Sequence, residues 1–375
     1  MNLSYWELQT YFKNIDLTII GSGIVGLTAA IESKKKFPSL KVIVLERGIL
    51  PSGASTKNAG FSCFGSVSEL LSDLKNTSEN EVGALLEKRW KGLEKLRQTI
   101  GDVPMDYFQN GGFEVFNDES IYTECEAKIP YLNELMNRQL GLKEVYRIAH
   151  NKIIGFGFAQ VPFMIENSFE GQINTGKMMS RLIQIAHELG VVVLNGLEVT
   201  STQENENNVV VNLTNSLSFD TNKVIVATNG FAKQLLPELD VQPARAQVLI
   251  TEPIPNLKFE GTFHYDEGYY YFRNIDQRIL LGGARNSDFK GEETYEMEVT
   301  STIQNKLEEL LSTVILPNQS YEISHRWSGI MGVGETKTTI VKQISKNVFC
   351  SVRMGGMGVA IGSLIGSEVA ALVFE

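Results

Sequence analysis

The sequence predicts an α/β protein with two domains, one of which is a Rossmann-type dinucleotide-binding domain. An apolar run at residues 17–20 is followed by a glycine turn, a helical stretch to about Lys36 and a second apolar run at residues 41–45, which together describe a βαβ unit. The chain has 375 residues, of which 43% are hydrophobic, and chains of this length usually divide into domains.

The later segments alternate between the two domains. Residues 3–14 predict a short helix packed on its own domain, and residues 66–100 predict amphipathic helices that form an arm over the binding site. The other predicted elements are, in chain order, strands at 111–116 and 152–158 with a helix at 119–139 between them, a helix at 175–189, strands at 191–194 and 223–227 with a hairpin at 205–208, strands at 245–250, 262–272 and 278–283, a helix near 297–311 and a strand–turn–helix at 347–373.

This order predicts a second domain that is discontinuous in sequence. We expect the dinucleotide-binding domain to comprise residues 1–75, 165–244 and 320–375. We expect the second domain, built on a mixed sheet, to comprise residues 76–164 and 245–319.

Composition excludes several classes of partner. Lys and Arg total 34 against 44 Asp and Glu, and a net charge of −10 disfavours nucleic acid and anionic membranes. Residues 358–374 are apolar but are interrupted by Ser363, Ser367 and Glu368, so we expect no membrane span, and the N-terminus does not resemble a secretory signal. Three cysteines without C-x-x-C spacing argue against a disulfide framework or a metal site. We therefore expect a cytoplasmic protein.

The first βαβ unit carries a complete G-x-G-x-x-G motif at residues 21–26. Gly21 suits the tight turn, Gly23 lets the backbone approach a pyrophosphate, and Gly26 lets the helix pack closely on the strand. Glu46 ends the second strand, where its carboxylate can accept hydrogen bonds from a ribose diol and disfavours a 2′-phosphate. The sequence therefore predicts a dinucleotide other than NADP.

Four landmarks resemble those of the FAD-dependent D-amino-acid oxidase family, which includes glycine oxidase, sarcosine oxidase, D-amino-acid dehydrogenases and gamma-glutamylputrescine oxidase. They are residues 16–47, the stretch GASTKNAG at 53–60, VIVATNG at 224–230 and RMGGMG at 353–358. The resemblance covers nearly the whole chain. It implies a glutathione-reductase-type FAD domain, a mixed-sheet substrate domain, and a substrate held between that sheet and the flavin ring.

The resemblance also implies the cofactor, FAD, and the residues that bind it. The expected cofactor-binding residues are Gly21, Gly23, Ile24, Gly26, Glu46, Arg47, Ser55, Thr56, Lys57, Asn58, Ala59, Gly60, Val199, Thr228, Gly230, Gly355, Gly356, Met357 and Gly358. Two of these groups have a physical reason as well. The polar loop 55–58 offers donors to a pyrophosphate or a flavin, and the glycines at 355–358 open a helix whose free N–H groups can face an anion.

Oxidation of a C–N bond is the chemistry that these features favour. A flavin can take the α-hydrogen as hydride on N5 without a dedicated base when the amine is bound neutral. The histidines show no metal spacing, and we expect surface or core positions for all four: His150, His187, His264 and His325. Cys63 follows the flavin loop, and we expect a buried thiol there rather than a covalent link to the flavin.

Substrate recognition is where the chain departs from the family. Its amino-acid oxidases carry a Trp-x-Gly-x-Arg segment whose Arg binds the substrate carboxylate, but here the segment is WSGIM, with Met331 in the place of that Arg. Gamma-glutamylputrescine oxidase is similar in this respect, so the substrate is either an amine or an amino acid held by another arginine. The available cations are Arg245, Arg273, Arg285, Arg326 and Arg353.

Three residues are candidates for contact with the substrate. Arg353 directly precedes the terminal glycines, although an internal salt bridge is an equally good interpretation of it. Tyr269, Tyr271 and Arg273 alternate on a predicted strand and would share one face, either lining a pocket or packing in a core. The candidate catalytic residues are therefore Arg353, Tyr269 and Arg273.

The sequence thus predicts an FAD-dependent enzyme that oxidises a small-molecule amine or amino acid to an imine, which hydrolyses in water. A 2-hydroxy-acid dehydrogenase on the same scaffold is one alternative, but it would need a base for the hydroxyl proton. A flavin-binding protein without turnover is a second alternative. The electron acceptor, whether oxygen, a quinone or another protein, stays open.

Overall fold

A computed structural model describes residues 3–375. Its helices are α1 Tyr5–Tyr11, α2 Ile24–Lys36, α3 Ala54–Lys57, α4 Val67–Asn76, α5 Glu79–Ile100, α6 Glu119–Leu140, α7 His150–Phe156, α8 Thr175–Glu188, α9 Ser301–Leu310 and α10 Gly358–Val373. Among the described residues, none of these helices combines the length and the apolar character that crossing a bilayer requires.

Eighteen strands are present in the described part of the chain, and most belong to two large sheets. They are β1 Ile15–Ile20, β2 Val42–Glu46, β3 Phe61–Ser62, β4 Gly112–Phe116, β5 Tyr146–Ile148, β6 Phe163–Asn167, β7 Gly171–Gln172, β8 Val192–Asn195, β9 Val199–Glu204, β10 Val209–Leu213, β11 Ser218–Val226, β12 Gln242–Thr251, β13 Thr262–Tyr265, β14 Tyr270–Ile275, β15 Arg278–Gly283, β16 Ile323–Val333, β17 Ile340–Gln343 and β18 Val348–Val352.

The first sheet carries the glycine motif. Its central order is β17-β18-β11-β1-β2-β8, and β1 pairs in parallel with both β2 and β11. All five residues of β2 are buried, as expected for a parallel strand covered on both faces. The parallel strands bring the turn after β1 and the end of β2 to the same edge, which places the glycine motif beside Glu46.

Helices α2, α5 and α10 pack together on one side of this sheet. Small residues allow the close approach: a Cβ at Gly366 of α10 would lie only 2.6 Å from the carbonyl oxygen of Val25 in α2. Gly92 of α5 lies closer still to the backbone of α10, since a Cβ there would overlap the carbonyl oxygen of Ala360. Most of α5 therefore shares the core of the first sheet, whereas the sequence placed residues 76–164 in the second domain.

The second sheet has the order β16-β12-β15-β14-β13-β4-β6-β5. It is mixed, because β13 pairs in parallel with β4 while the other neighbours are antiparallel. Its core is aromatic, and the ring of Phe263 stacks between those of Phe113 and Phe272, with centroids 5.0 and 4.8 Å apart. The opposite face of β13 and β14 remains for a binding site.

The structure corrects several predicted elements. Residues 152–158 are not a strand, because His150–Phe156 forms α7, which Gly157 ends in a left-handed conformation with φ 81°. The predicted strand 262–272 is a hairpin, β13 and β14, which turns at Asp266 and Glu267 with positive φ. Helix α1 is not packed on its domain as expected, since none of its residues is buried.

The strand pairing also moves the predicted domain boundaries. Strand β16 at 323–333 pairs with β12 in the second sheet, so the last segment of the first domain cannot begin at residue 320. The boundary at 165 falls inside β6 and that at 245 falls inside β12. Strands of the two sheets have similar apolar composition. Composition alone therefore does not show where the chain passes from one domain to the other.

Candidate active site

A cavity of about 780 Å³ lies between the two sheets. The turn after β1, the loop around α3 and the start of α10 line it from the first sheet, and residues of β12, β13, β14 and β16 line it from the second. The cavity therefore brings together the predicted dinucleotide motif and the predicted substrate sheet.

The three motif glycines have separate geometric roles. Gly21 has φ 107°, and a Cβ there would lie 2.8 Å from the carbonyl oxygen of Ala227. Gly23 lines the cavity, and a Cβ there would lie 2.8 Å from Ser55 Oγ. Gly26 does not line the cavity; it lets α2 pass close to the backbone of Gly21, as the motif predicts.

Glu46 lies at the cavity wall with only 6% of its surface exposed. Its carboxylate accepts hydrogen bonds from the hydroxyls of Ser22 and Ser52, at 2.7 and 2.8 Å, and from the N–H of Gly48, at 2.9 Å. Ser22 is a site residue that the sequence analysis missed, although it stands inside the motif. Next to Glu46, the guanidinium of Arg47 stacks 3.7 Å from the ring centre of Phe231.

The polar loop around α3 is held in place by its own side chains. Ser55 Oγ accepts from the N–H of Ile24 at 3.0 Å, and Asn58 Oδ1 accepts from the N–H of Gly60 at 2.8 Å. Thr56 does not line the cavity, because its hydroxyl donates to the carbonyl of Pro51. Ser55, Lys57, Asn58 and Ala59 remain on the cavity wall.

The glycines before α10 expose backbone donors to the cavity. The first hydrogen bond within this helix runs from the N–H of Ile361 to the carbonyl of Met357. The N–H groups of Gly358, Val359 and Ala360 therefore precede the first helical donor and have no acceptor within the helix, and these three residues line the cavity. Free N–H groups and the positive end of the helix dipole favour an anionic or electron-rich group here.

Four other predicted cofactor residues divide into two pairs. Val199 and Thr228 line the cavity, and Thr228 Oγ1 is buried with no hydrogen-bond partner in the described chain. Gly230 and Gly60 do not line it. A Cβ at Gly230 would lie 2.5 Å from the carbonyl oxygen of Met331, so this glycine serves packing.

The wall from the second sheet is a row of side chains from adjacent strands. His264 pairs with Tyr271, Tyr271 pairs with Gly282, and Gly282 pairs with Val248. The ring of Tyr271 lies over Gly282, where a Cβ would come within 2.5 Å of it. Burial raises the pKa of the Tyr271 phenol to about 12, so it stays protonated and can donate a hydrogen bond. Tyr269 lies at the rim, 40% exposed.

Two predicted catalytic arginines are engaged within the protein. Arg353 lines the cavity, but its guanidinium forms a salt bridge with Asp240 and donates to Thr338 O at 2.7 Å and Thr336 Oγ1 at 3.1 Å. The internal salt bridge is therefore the interpretation that the geometry favours. Arg273 does not line the cavity; it is 2% exposed and donates to the carbonyls of Gly60 and Ile173 at 2.7 and 2.8 Å. Arg273 supports the end of the polar loop from behind.

His264 lies in the cavity wall, which corrects its expected surface or core position. Cys63 lines the same part of the cavity as a buried free thiol, and the Glu170 carboxylate lies 3.7 Å from His264 Nε2. Burial alone would lower the pKa of His264, but the neighbouring Cys63 and Glu170 raise it well above its usual value. Burial raises the pKa of the Cys63 thiol. The Glu170 carboxylate therefore favours the protonated form of the imidazole.

A charged network borders another part of the cavity. Lys337 bridges Glu69 and Asp73 of α4 at 3.0 and 2.7 Å, and Arg89 donates to Glu69 from below at 3.0 Å. Burial alone would raise the pKa of Glu69, but the charges of Arg89 and Lys337 lower it to about 2. This network ties the segment after β16 to α4.

Comparison with known proteins identifies the family. The family model described as DAO, FAD dependent oxidoreductase, matches residues 16–372. The chain belongs to this family of FAD-dependent oxidoreductases. It is an oxidoreductase, and its cofactor is FAD.

Relatives within the DAO family show how far the likeness extends. The bifunctional protein ThiO/ThiG of Synechocystis sp. is 29% identical over 244 residues, which are 62% of this chain and 32% of that protein, so the chain spans about a third of its length. Glycine oxidase from Geobacillus kaustophilus superposes with a TM-score of 0.75 at 19% identity, over 96% of this chain and 94% of that chain. L-proline dehydrogenase from P. horikoshii superposes with a TM-score of 0.75 at 18% identity, over 96% of this chain and 93% of that chain. At these identities, the structural likeness shows the fold.

The described residues fit FAD. Three features face the cavity. They are the unpaired Thr228 hydroxyl, the free N–H groups at the start of α10, and the backbone of Gly23, which has no side chain to block a ligand. Which of them contact the cofactor remains a prediction. The Glu46 carboxylate already accepts four hydrogen bonds, two from hydroxyls and two from backbone N–H groups, and its remaining lone pairs can accept further ones.

Proposed function

We propose that the chain oxidises the C–N bond of a small-molecule amine or amino acid to an imine, which water then hydrolyses. The supporting observation is the single cavity in which the cofactor motif and the aromatic face of β14 lie opposite each other. The names of two structural neighbours, glycine oxidase and L-proline dehydrogenase, specify amino acids as the substrates of those proteins. Bound FAD supplies the acceptor for the hydride.

The residues of the second sheet would orient the substrate and exclude water. Tyr271 is protonated and fixed over Gly282, so its hydroxyl can donate to a substrate oxygen without reorganising. Tyr269 and Phe289 contact each other edge to face, with ring centroids 6.0 Å apart, and both line the cavity at its rim. Their apolar surfaces reduce the access of water to the bound amine.

The position and charge of His264 help to separate this proposal from oxidation of a hydroxy acid. Removal of a hydroxyl proton needs a base within hydrogen-bond reach of the substrate. His264 lines the cavity, but its pKa is raised, which lowers the fraction of neutral imidazole that could act as a base. This favours an amine, which can be bound neutral, over an alcohol.

Anaerobic mixing of the FAD-loaded protein with amines, amino acids and 2-hydroxy acids tests the proposal. We expect amines or amino acids to bleach the visible flavin band and hydroxy acids to leave it unchanged. Tyr271→Phe should slow the bleaching, whereas Tyr270→Phe should not, since Tyr270 packs against Tyr265 rather than lining the cavity. Bleaching by hydroxy acids alone would favour that alternative, and no bleaching by any compound would favour a protein without turnover.

We also propose that the protein is cytoplasmic. We propose oxygen or a quinone as the electron acceptor. Three buried free cysteines, Cys63, Cys125 and Cys350, support a reducing environment. Cell fractionation checks the compartment. Reoxidation of the reduced protein by air or by a soluble quinone checks the acceptor.

A further inference from the structure

Arg285 occupies a constrained position at the rim of the cavity. Strand β15 ends at Gly283, and Ala284 adopts a left-handed conformation with φ 60° before Arg285 begins a single helical turn. The N–H of Ala284 donates to the carbonyl of Tyr269 at 2.8 Å, which fixes this turn against the start of β14. A non-glycine residue in this conformation is costly, and such residues are concentrated at binding sites.

The arginines that line the cavity differ in what they contact. Arg353 pairs with Asp240 and Arg89 pairs with Glu69, while Arg47 stacks on Phe231 beside Glu46. Arg285 makes no ion pair within the described chain. Its guanidinium carbon lies near the ring of Phe289 instead.

The guanidinium of Arg285 lies against an aromatic ring, and the nearby carboxylates of Glu292 and Glu293 form no ion pair with it within the described residues. The guanidinium carbon lies 5.0 Å from the ring centre of Phe289, and Nε is buried with no hydrogen-bond partner in residues 3–375. Burial lowers the pKa of Arg285, and the nearby Glu292 is already paired with Arg245 at 2.7 Å. A half-buried guanidinium without an acceptor is unfavourable, and a bidentate carboxylate would satisfy it.

Arg285 lies at the end of the sheet where the expected carboxylate ligand is missing. On β12, Ala244 pairs with Met331 of β16 and Gln247 pairs with Gly283 of β15. The chain therefore leaves β15 at the end of the sheet that carries Met331. A cation supplied from β15 can reach the part of the cavity that Met331 borders, since both residues line it.

We propose that Arg285 binds a carboxylate of the substrate, so that the substrate is an amino acid rather than a simple amine. This inference rests on the proposed function. Phe289 lies against the guanidinium, and Tyr269 contacts Phe289; these rings lower the local dielectric, which strengthens a charge-assisted hydrogen bond. The left-handed turn at Ala284 fixes the direction in which the side chain leaves the strand.

Titration of the oxidised, FAD-loaded protein with acetate and benzoate tests this assignment, with the change in flavin absorption as the readout. Acetamide and benzamide are the uncharged controls. We expect the carboxylates to bind the wild type, Arg285→Met to weaken them about tenfold or more, and Arg285→Lys to weaken them less. Arg326→Met is the matched control, because Arg326 pairs with Glu308 and does not line the cavity. It should leave carboxylate binding unchanged.

Several results would overturn the assignment: no binding of either carboxylate by the wild type, unchanged binding in Arg285→Met, or equal losses for carboxylates and amides. FAD content and thermal unfolding of each variant show whether it folds, and Arg285→Gln provides a milder substitution. The titration does not require turnover. A protein that binds carboxylates through Arg285 but is reduced by no amine or amino acid would refute the proposed function, and with it an amino acid as the substrate. It would leave the carboxylate-binding role of Arg285 in place.

Discussion

The two walls of the cavity are built in different ways. The wall from the first sheet consists mainly of backbone groups and small residues that follow one another in sequence, such as Gly21, Ser22 and Gly23. The wall from the second sheet consists of side chains such as His264 and Tyr271, which meet only because β13 pairs with β14. Local spacing therefore specifies the first wall, whereas strand register specifies the second.

The largest effect that we expect from a single change is on the first wall. Gly23→Val places a branched side chain against Ser55 Oγ, which a Cβ alone would already approach to 2.8 Å, and blocks the approach of a pyrophosphate. The purified variant should contain little or no FAD by absorption. Gly155→Val is the control, since a Cβ at Gly155 meets nothing within 4 Å, and it should retain FAD. A yellow Gly23→Val protein with normal FAD content would contradict the assigned position of the pyrophosphate.

Glu46→Ala should have the next largest effect. If Glu46 holds the ribose, the change removes acceptors for charge-assisted hydrogen bonds and weakens FAD binding by about 1–3 kcal/mol. Fluorescence titration of apoprotein with FAD measures this. Glu46→Gln keeps the shape and should lose less. Because Ser22 and Ser52 lose their acceptor as well, unfolding of the apoprotein must be compared, and unchanged FAD affinity would place the ribose elsewhere.

Arg353→Met should act on stability rather than on substrate choice. Its salt bridge joins a largely buried guanidinium to the partly exposed Asp240, so we expect a loss of about 1 kcal/mol in the free energy of unfolding. The ratio of turnover efficiencies for an amino acid and the matching amine should stay as in the wild type. A selective loss for the amino acid would return Arg353 to the substrate site and would weaken the case for Arg285.

The smallest expected effect is a pH dependence that comes from the second wall. The pKa of His264 is raised in the folded protein, so the unfolded chain releases this proton first as the pH rises. The stabilisation is complete below about pH 6.5 and is lost as the pH rises through the raised value. The melting temperature of the wild type should therefore fall relative to that of His264→Gln as the pH rises above about 6.5. His187→Gln, on the exposed face of α8, should show no such trend. Parallel curves for wild type and His264→Gln would contradict the raised pKa.

The sequence could predict the first wall because its chemistry is local. The G-x-G-x-x-G motif and Glu46 are joined by parallel strands on either side of one helix, an arrangement that follows from their spacing. Arg353 was a candidate because it precedes the terminal glycines, and Arg273 because it alternates with Tyr269 and Tyr271, but their guanidinium groups contact protein carbonyls or Asp240. A position next to a motif does not determine where a long side chain points.

Two residues of the second wall gave no usable signal. His264 has no spacing partner, because Cys63 and Glu170 come to it from distant segments. Arg285 follows three small residues, Gly282, Gly283 and Ala284. Such a run indicates that another strand packs closely here, but it does not identify which strand. Both positions depend on the order of strands in the second sheet, which local periodicity does not contain.

The central position of β1 in the first sheet affects how the chain folds during translation. Ile15 of β1 pairs with Thr221 of β11, 206 positions later, and the second sheet's first strands are synthesised between them. At about 5–20 residues per second, one edge of β1 stays without its neighbour for roughly 10–40 s of translation. Contacts of such high sequence separation form slowly, and an open apolar edge invites aggregation. Strand β1, which leads into the glycine motif, is therefore synthesised early but pairs with β11 late. We expect FAD to bind only after most of the chain has left the ribosome.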